Sequence, residues 1–480
     1  MQASSPDSYG GADGTAREQS AAPVLDVPQH LVEKYDRVGP RYTSYPTAPA
    51  WKEDFDGDAW GIALKNADAN ADAPLGMYIH IPFCIHRCLF CACNVIIGKR
   101  QDIVEQYLER LQLEIQRTAE RLPNRRQISG LHWGGGTPTH LSVEQIERVM
   151  GMITQHFEIL PDAEVSIEVH PPVTTREQLQ AAYDLGFRRL SLGVQDLDWG
   201  VQQLIDRNQT VEQTEAVLDT ARELGFESVN FDLVYGLPGQ TEKTWDFTLD
   251  EVLRMRPDRL AIYSYAHVPW LHPHQERMPG DQLPGPQLKL HMIRRAKQRL
   301  AGDGGYVEIG FDHFAVPEDS MAQAVKEHRL YRNFMGYTVK PGEDYVGFGV
   351  SSISEVGGCF MQNHAKLNRW NQAIDEDGCT VHRGLQLSAD DQVRKLIIER
   401  LMCNLWLNLD EVEAMLDQPF TEVFADAWQA LAEMEKDGLL VRAERHIEVT
   451  QLGRTFLRNI CMLFDAYLPE QEGQRFSRTV

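Results

Sequence analysis

From residue 76 to residue 267, short apolar segments alternate with segments of helical periodicity. The apolar segments are rich in β-branched and aromatic residues, and the stretches between them, such as TTREQLQAAYDLG, are amphipathic. This alternation is typical of βα units that build a parallel sheet. The six predicted strands are GMYIHIP, ISGLHWGGG, AEVSIEVHP, RRLSLGVQD, SVNFDLVYGLP and DRLAIYSYAHVP. Because βα crossovers are right-handed, we expect an α/β fold whose sheet curls into a barrel or part of one.

Polar and small residues interrupt the apolar pattern where the predicted strands end. A cysteine-rich segment follows the first strand, and the later strands end in GGGTP, Glu168 with His170, Gln195, Asp232 with Gly236, and Ala266 with His267. The carboxyl ends of parallel strands meet at one edge of a sheet or barrel, where ligands bind. The sequence therefore places these residues around one mouth.

Four of the eight cysteines lie between Cys84 and Cys93, in the segment YIHIPFCIHRCLFCACN. The spacing Cys84-x3-Cys88-x2-Cys91 is compatible with zinc or with an iron–sulfur cluster. A structural zinc site usually combines two CxxC pairs, and the other cysteines of this chain are scattered, so the pattern favours a cluster. Three thiolates leave one iron of a 4Fe–4S cluster without a protein ligand, and a substrate or cofactor can bind there.

The charge balance limits the classes of partner. A net charge of −23 disfavours nonspecific binding to nucleic acid or anionic lipid, and an anionic substrate requires a local basic pocket. No apolar run reaches the roughly 18 residues of a membrane span. The first residues, MQASSPDSYGGADGTAREQSAAP, lack the basic start and apolar centre of a signal peptide. Eight cysteines are too few for a disulfide scaffold, so we expect a cytoplasmic protein.

The pattern changes on both sides of the βα region. Residues 1–28 have the composition of a disordered tail, and residues 29–60 indicate an arm, rich in Arg, Tyr and Pro, that docks on the active site. We expect the barrel domain over residues 61–365. Residues 366–480 combine helices with the hairpin LLVRAERHIEVT, which predicts a mainly helical, winged-helix-like domain. Because this region is acidic and lacks a basic stripe, docking on the barrel is favoured over DNA binding.

The cysteine motif, with Phe90 directly before the third cysteine, resembles the signature of the radical S-adenosylmethionine (SAM) superfamily. The chain also contains, in order, RYTSYPT, YIHIPFC, CxCN, HWGGGTPT, IEV, GVQD, NFDLVYGLPGQT, SYAHVP and RNICMLFDAYL. Together these motifs resemble the oxygen-independent coproporphyrinogen III oxidases from about residue 30 to the C-terminus. The resemblance implies a partial (β/α)6 radical SAM barrel with an N-terminal arm and a C-terminal helical domain.

The resemblance also implies the residues of the site. Cys84, Cys88 and Cys91 would bind a 4Fe–4S cluster, and Cys93 would be a spare thiol. Tyr78, His80 and Glu168 would be catalytic. The implied SAM contacts are Tyr78, Phe90, Gly135, Gly136, Thr137, Glu168, Gln195, Arg207, Asp232, Ala266 and Ile353, with Gly134 and Phe334 beside them.

Ordinary structural roles remain open for several of these residues. A histidine such as His80 is often a hydrogen-bonded core residue, and three glycines in a row often form a tight turn. A single glutamate at a strand end is as often a surface charge. The position of these residues around one mouth favours the functional interpretation.

The implied reaction is decarboxylation of two propionates of coproporphyrinogen III to vinyl groups, which gives protoporphyrinogen IX. A 5′-deoxyadenosyl radical made from SAM would remove a β-hydrogen, and two SAM molecules would be used per turnover. The implied partners are the tetracarboxylate porphyrinogen and an electron donor of the flavodoxin or ferredoxin type, and the protein would be a monomer. Our hypothetical propionate partners are Arg41, Arg332, Arg383, Tyr42 and Tyr45, for which ordinary surface roles remain open.

Two segments depart from the family pattern and keep other functions open. His170 and Pro172 stand where an Asp-Pro-Arg sequence is common, and Met335 stands where glutamine is more usual. These departures concern the second SAM or the substrate. The alternatives are a related radical SAM C-methyltransferase or cyclopropanase, a haem-binding chaperone, and a DNA-binding regulator with a sensing cluster.

Overall fold

The structure is a computed structural model that describes residues 27–53, 55, 57–340, 344–376, 379–468 and 479. Of the tail predicted at residues 1–28, all but Val27 and Pro28 lies outside the described residues. None of the described helices is both long and apolar enough to cross a membrane.

The strands follow the alternation that the sequence predicts, with short additional strands between and after the repeats. In chain order they are β1 (Leu75–Ile81), β2 (Phe83–Cys84), β3 (Ile96–Ile97), β4 (Gln127–Gly135), β5 (Glu158–Val169), β6 (Arg189–Gln195), β7 (Ser228–Tyr235), β8 (Arg259–Ser264), β9 (Val307–Ile309), β10 (His313–Ala315), β11 (Tyr331–Asn333), β12 (Gly336–Thr338), β13 (Tyr345–Phe348), β14 (Ile353–Val356), β15 (Cys359–Asn363), β16 (Val381–Gln386), β17 (Trp406–Asn408), β18 (Leu440–Arg442) and β19 (His446–Val449).

The helices alternate with these strands. They are α1 (Gln29–Tyr35), α2 (Gly57–Asp68), α3 (Gln101–Glu120), α4 (Val143–Thr154), α5 (Arg176–Asp184), α6 (Trp199–Leu204), α7 (Val211–Leu224), α8 (Glu242–Met255), α9 (Pro286–Lys297), α10 (Ser320–Lys326), α11 (Leu367–Glu376), α12 (Ala389–Asn404), α13 (Leu409–Glu413), α14 (Phe420–Val423), α15 (Ala425–Lys436) and α16 (Leu457–Cys461).

Within the described residues, one large sheet has the strand order β16-β15-β14-β13-β1-β4-β5-β6-β7-β8-β10-β9. Strands β1, β4, β5, β6, β7 and β8 pair in parallel and in sequence order. The predicted (β/α)6 unit is therefore confirmed. Neither edge strand of this sheet, β16 or β9, pairs with the other, so the barrel is open.

The sheet extends beyond the six predicted strands at both edges. β13 adds a parallel strand beside β1, and β14 to β16 continue from it in antiparallel fashion. Trp370, Ile374 and Val381 pack in the core of this sheet. The sheet and its core thus continue past residue 365, where the sequence places the end of the barrel domain. The added strands have three to six residues and lie between glycine-rich turns, so periodicity does not distinguish them from loops.

The outer face of the sheet is apolar, and the helices cover it. Met77, Ile79 and Ile81 of β1 are buried with Trp133 of β4 and Leu108 of α3. Several covering helices begin at a capping box, in which the N-cap hydroxyl and the N3 side chain satisfy each other's backbone amides. These boxes are Ser142 with Gln145, Thr175 with Gln178, Thr210 with Gln213, and Thr241 with Thr244.

The C-terminal region forms a second core with the N-terminal arm. Ile397 and Leu401 of α12 pack with Phe456 and with Leu31 and Tyr35 of the arm. The predicted hairpin is present as β18 and β19, and β17 pairs with β19 to complete a three-stranded sheet in this part of the described chain. Helices followed by a small β-sheet agree with the winged-helix-like prediction.

The arm contacts both the C-terminal domain and the barrel. Tyr42 donates a 2.9 Å hydrogen bond to Asp465, and the Ala466 amide donates a 2.9 Å bond to the Tyr45 hydroxyl. The bond to Asp465 uses the one hydrogen of the Tyr42 hydroxyl, which leaves Tyr42 none to donate to a propionate. Tyr45 accepts its bond, and its role as a propionate partner stays a hypothesis. Arg41, in contrast, donates a 3.1 Å hydrogen bond to the Ser264 carbonyl at the carboxyl end of β8.

Candidate active site

The cysteine segment forms a closed loop at the carboxyl end of β1. Short parallel strands pair Phe83 with Ile96 and Cys84 with Ile97, so the two ends of the loop lie side by side. The Leu89 amide donates a 2.9 Å hydrogen bond to the Ile205 carbonyl, which fixes the middle of the loop after α6. All eight cysteines are free thiols. The loop is therefore held by backbone hydrogen bonds, and its thiols are available as ligands.

Cys84 and Cys88 each have a polar neighbour. The Cys84 sulfur lies 3.5 Å from the Thr137 hydroxyl, and an Arg207 N–H lies 3.7 Å from the Cys88 sulfur. Burial raises the pKa of the Cys84 thiol to about 11. A thiol in such a place becomes a thiolate when a metal cation replaces its proton. The environment thus fits a buried metal ligand rather than a free nucleophile.

Cys91 lies beside Cys93. The Cys93 amide donates a 3.3 Å hydrogen bond to the Cys91 sulfur, and hydrogen bonding from Cys93 lowers the pKa of Cys91 to about 6. The His274 imidazole bonds to the Cys91 carbonyl at 2.7 Å. Since Nε2 faces a carbonyl, which only accepts, it carries the hydrogen. Cys91 is therefore predisposed to the thiolate form that metal ligation requires.

The donor set favours a cluster over a single metal ion. Within the described residues, no three His, Cys, Asp or Glu side chains converge closely enough to hold one ion. A zinc ion needs all its ligands at about 2.0–2.3 Å from one point. Cysteines that bind a 4Fe–4S cluster each bind a different iron and do not need to converge. Three free cysteines on one loop thus fit a cluster.

Two glycines at the end of β4 lie against functional side chains. A Cβ on Gly134 would lie 2.8 Å from the Glu168 carboxyl carbon, and a Cβ on Gly135 would lie 2.6 Å from the His80 ring. Gly135 also has φ +116°, a conformation that other residues rarely adopt. Its amide donates a 3.1 Å hydrogen bond to Glu168. The glycines are required here because backbone replaces side chain beside His80 and Glu168.

Glu168 lies next to a histidine that the sequence analysis missed. His132 Nε2 lies 3.4 Å from the Glu168 carboxylate, and His132 Nδ1 lies 2.7 Å from the Ser166 hydroxyl. Burial opposes ionisation, but the hydrogen bonds from His132 and Gly135 lower the pKa of Glu168. Glu168 is therefore a carboxylate near neutral pH. The signal for His132 is its place two residues before the glycines on the inner face of β4.

Tyr78 and His80 lie on the same face of β1 and are bonded to each other. The Tyr78 hydroxyl lies 3.0 Å from His80 Nδ1, and His80 Nε2 lies 3.1 Å from the Asn94 carbonyl. The carbonyl can only accept, so Nε2 carries the hydrogen and Nδ1 accepts from Tyr78. Burial lowers the pKa of His80, which keeps the ring neutral. His80 thus connects β1 to the far end of the cysteine loop.

Arg207 and Gln195 lie on the other side of the loop. The buried Arg207 guanidinium donates to the Gly193 carbonyl and, at 3.1 Å, to the Gln209 side chain. Gln195 ends β6 with φ +71°, an uncommon value for a residue other than glycine. His170 lies nearby; among the described residues its Nε2 has no hydrogen-bond partner, and burial lowers its pKa to about 2.

A cavity of about 220 Å³ lies inside the barrel, and Glu168 is one of its lining residues. Asp232 lines it and accepts hydrogen bonds of 3.0 Å from Ser191 and 2.9 Å from Asn230. Burial raises the pKa of Asp232 to about 6. The other lining groups that bear on function are His132, Tyr263, His313, Arg332 and Met335. The cavity therefore offers both carboxylates and a cation to a ligand.

Three predicted contacts lie apart from the cysteine loop or only at its rim. Ile353 packs with Phe334 and Trp51 in a separate apolar cluster. Ala266 is exposed just after β8. Phe90 packs against the apolar cluster beside the loop and keeps part of its ring accessible. The predicted SAM contacts thus divide into a group around the loop and cavity and a smaller peripheral group.

Comparison with protein families gives two matches along this chain. The model of the Radical SAM superfamily matches residues 78–252, which include the cysteine loop and β4 to β7. The model of the HemN C-terminal domain matches residues 387–456, which begin just after the large sheet ends. The two matches therefore fall on the barrel and on the helical domain.

Two curated relatives are each named oxygen-independent coproporphyrinogen III oxidase. The protein from Salmonella typhimurium is 44% identical over 451 residues, which are 94% of this chain and 98% of the relative. The protein from Pseudomonas aeruginosa is 40% identical over 452 residues, with the same coverage of 94% and 98%. The similarity thus extends over nearly the whole of each chain.

A solved structure shows the same fold. The coproporphyrinogen III oxidase HemN from Escherichia coli, described as a radical SAM enzyme, aligns with a TM-score of 0.87 at 42% identity. The alignment covers 92% of this chain and 100% of that chain. Since the chain is 40–44% identical to these relatives over nearly its full length, it belongs to the family of oxygen-independent coproporphyrinogen III oxidases, which are radical SAM enzymes.

Proposed function

We propose that this chain converts coproporphyrinogen III into protoporphyrinogen IX by oxidative decarboxylation of two propionates to vinyl groups. The observation that carries the proposal is the position of three free cysteines on one closed loop at the carboxyl end of β1, in a parallel barrel whose interior cavity is lined by Glu168. Similarity over nearly the full length to proteins named for this substrate supports the choice of substrate.

Cys84, Cys88 and Cys91 would hold a 4Fe–4S cluster through their sulfur atoms. The Arg207 N–H near Cys88 and the Cys93 amide on Cys91 stabilise negative charge on those sulfurs, as outer hydrogen bonds do at metal sites. When bound, the reduced cluster and SAM supply the carbon radical that removes hydrogen from an unactivated C–H bond. Cys93 donates its amide to Cys91 and is not itself a ligand.

The carboxyl ends of β4 and β5 provide the polar contacts for SAM. Gly135 and Gly136 let this strand end pack closely against the His80 ring and the Pro82 backbone, and the Glu168 carboxylate accepts hydrogen bonds from hydroxyl or ammonium groups. Because His132 and Gly135 already orient Glu168, little freedom is lost when it binds a ligand. The remaining SAM contacts in this proposal are Tyr78, Phe90, Thr137, Gln195, Arg207, Asp232, Ala266 and Ile353.

Tyr78 and His80 are positioning residues in this proposal. The neutral His80 ring accepts from Tyr78 and donates to the Asn94 carbonyl, so both ring nitrogens are used. A ring with both nitrogens bonded holds the cysteine loop against β1 and Gly135. We therefore assign to this pair the orientation of the loop and of the SAM contacts beside it.

Among the proposed propionate partners, Arg332 is the best placed. Its guanidinium lines the cavity, lies over the Tyr337 ring at 4.4 Å, and has an Nε without a hydrogen-bond partner among the described residues. Arg383 lies instead over the Trp51 ring and bonds to Gln362 at 2.7 Å on the edge of the sheet. A buried guanidinium with a spare N–H suits a carboxylate.

The finer features of the reaction are also proposals. We propose two SAM molecules per turnover, the second near Phe334, Met335 and Ile353, and a flavodoxin- or ferredoxin-type electron donor. We further propose that the enzyme acts as a monomer in the cytoplasm and binds neither nucleic acid nor membrane. The net charge of −23 supports the absence of nucleic acid binding.

The direct test is anaerobic incubation of the iron-reconstituted protein with SAM, a reductant and coproporphyrinogen III. The expected products, identified by mass, are protoporphyrinogen IX, carbon dioxide, methionine and 5′-deoxyadenosine. A methylated or cyclopropane-containing product would assign the chain to another radical SAM reaction. Stoichiometric haem capture without cleavage of SAM would contradict the proposal and identify a haem-binding protein.

A further inference from the structure

Arg41 and Lys289 meet at the carboxyl end of β8. Arg41 donates a 3.1 Å hydrogen bond to the Ser264 carbonyl, and Lys289 donates a 3.0 Å bond to the Tyr265 carbonyl. The two residues come from distant parts of the chain, the arm and α9. Both cations are therefore held by adjacent backbone carbonyls at the edge of the sheet where the cysteine loop lies.

Neither cation has an acidic partner. Among the described residues, no ion pair joins Arg41 or Lys289 to a carboxylate. Asp312, the carboxylate whose charge reaches Arg41, is committed to His313 Nδ1 at 2.6 Å. The segment from residue 259 to residue 275 contains no Asp or Glu. In a chain of net charge −23, this is a local excess of positive charge.

Two other cations of α9 provide a contrast. Arg295 pairs with Asp246 at 2.8 Å, and Lys297 pairs with Glu308 at 3.2 Å. Lys289 is bonded to a carbonyl instead. Arg295 and Lys297 are thus each paired with a carboxylate, whereas Lys289 on the same helix is not.

The course of the Lys289 side chain depends on a glycine at the end of β7. Gly236 has φ +91°, and a Cβ there would lie 2.8 Å from Lys289 Cε. Lys289 Nζ lies 6.0 Å from the centre of the Tyr235 ring. Burial, and after it the charge of Arg41, lower the pKa of Lys289. An anion bound between the two cations removes this repulsion.

We propose that Arg41 and Lys289 together bind one propionate carboxylate of the porphyrinogen substrate, one that does not react in that orientation. This inference rests on the proposed function and names a substrate contact for it. Arg41 offers a planar pair of N–H groups and Lys289 a compact charge, and a carboxylate has two oxygens to receive them. The arm then contributes to the site by closing it with Arg41.

SAM also carries a carboxylate, so the experiment measures separately the binding of SAM and the binding of a porphyrin with propionates. The variants are Lys289→Gln, Arg41→Gln and the double variant, and the control is Arg295→Gln, which removes a cation from the same helix away from the site. Binding of coproporphyrin III, a stable tetracarboxylate, is measured by fluorescence quenching. Binding of SAM to the reconstituted protein is measured by equilibrium dialysis. Iron content and circular dichroism show that each variant is folded and loaded.

We expect each single variant to bind coproporphyrin III about tenfold more weakly, the loss typical of one charge-assisted hydrogen bond. For the double variant, the fold loss of affinity for coproporphyrin III is smaller than the product of the two single losses, because both cations bind the same carboxylate. All variants bind SAM with an affinity within about twofold of the native protein. The Arg295→Gln control binds coproporphyrin III within the same limit, and Lys289→Arg retains most of the affinity for coproporphyrin III.

Native-like coproporphyrin III binding by Lys289→Gln and Arg41→Gln, in a protein that forms protoporphyrinogen IX, overturns this inference and leaves the proposed function intact. Weakened SAM binding with unchanged porphyrin binding also overturns it, because the carboxylate is then that of SAM. A native protein that binds no tetracarboxylate and forms no protoporphyrinogen overturns the inference together with the proposed function.

Discussion

The two faces of the parallel sheet differ although the same strands build them. On β5, Val165, Ile167 and Val169 point outward into the apolar core, whereas Ser166 and Glu168 line the cavity. On β7, Phe231 is buried in the core and Asp232 lines the cavity. Since side chains alternate along a strand, one face specifies the fold and the other carries the chemistry.

This comparison makes separable predictions for the two faces. Substitutions on the inner face and at the mouth are expected to reduce catalysis while the fold persists. Substitutions on the outer face are expected to reduce the free energy of unfolding while the folded molecules keep their activity. Each experiment therefore measures both quantities.

The largest effect is expected for Cys88→Ser. Loss of one of three cluster ligands abolishes iron loading and all turnover, because no other described cysteine lies at the same place in the loop. The far-ultraviolet circular dichroism stays native, since the loop is closed by backbone hydrogen bonds. Cys93→Ser is the matched control, and a Cys93→Ser protein that also fails to load iron contradicts the ligand assignment.

On the outer face, Ile167→Ala is expected to lower the free energy of unfolding by about 2–5 kcal/mol, the usual cost of a cavity in a packed core. Ile167 is fully buried in that core. Urea unfolding under anaerobic conditions gives the free energy, and turnover per iron-loaded molecule gives the activity. Activity per loaded molecule that falls more than severalfold contradicts the separation of the two faces.

For Glu168→Gln we expect about a hundredfold loss of turnover, which corresponds to about 3 kcal/mol for a hydrogen bond to a charged group. The amide keeps the size of the side chain but cannot carry the charge that His132 and Gly135 support. The unfolding free energy changes by less than about 1 kcal/mol. Ser166→Ala, two residues earlier on the same face of β5, is the control, and we expect it to lose less turnover.

The smallest effect depends on pH and concerns Asp232. Burial raises its pKa from 3.8 to about 6, so the folded state holds this proton more tightly than the unfolded state. The stability due to this carboxyl is fully present below pH 3.8 and is lost as the pH rises through about 6. Asp232→Asn, which cannot ionise, therefore gains stability over the native protein across that interval, by at most about 3 kcal/mol.

Urea unfolding of both proteins at several pH values measures this difference. A difference that is constant from pH 4 to pH 7 shows that Asp232 does not titrate in that interval. Asn230→Ala, which removes a hydrogen bond to the same carboxylate, is expected to enlarge the pH-dependent part.

The outer face explains which parts of the fold could be predicted from the sequence. Alternating apolar residues predicted the six parallel strands because each strand buries one whole face. Strands such as β9 and β10 have three residues each, too few for a period to appear. The sheet and its core continue past residue 365, the predicted end of the barrel domain, because α11 and β16 join the sheet through Trp370 and Val381, which resemble any other core residues.

The residues of the candidate site also divide into those that the sequence predicts and those that it does not. The cysteines, the glycines and Glu168 could be found because they are unusual residues at predicted strand ends. His132 was missed because a single histidine within a strand is marked only by its place two residues before the glycines. Lys289 was missed because its meeting with Arg41 depends on tertiary packing between the arm and α9. Tyr42 was placed wrongly for the same reason, since its partner Asp465 is far along the chain.

The most direct test of the central claim is electron paramagnetic resonance of the reduced, iron-reconstituted protein before and after addition of SAM. The account predicts a 4Fe–4S signal that changes when SAM is added, because three cysteines leave one iron open to it. The same change is predicted for Cys93→Ser. A signal that does not respond to SAM, or a protein that binds zinc in place of iron, would contradict the account.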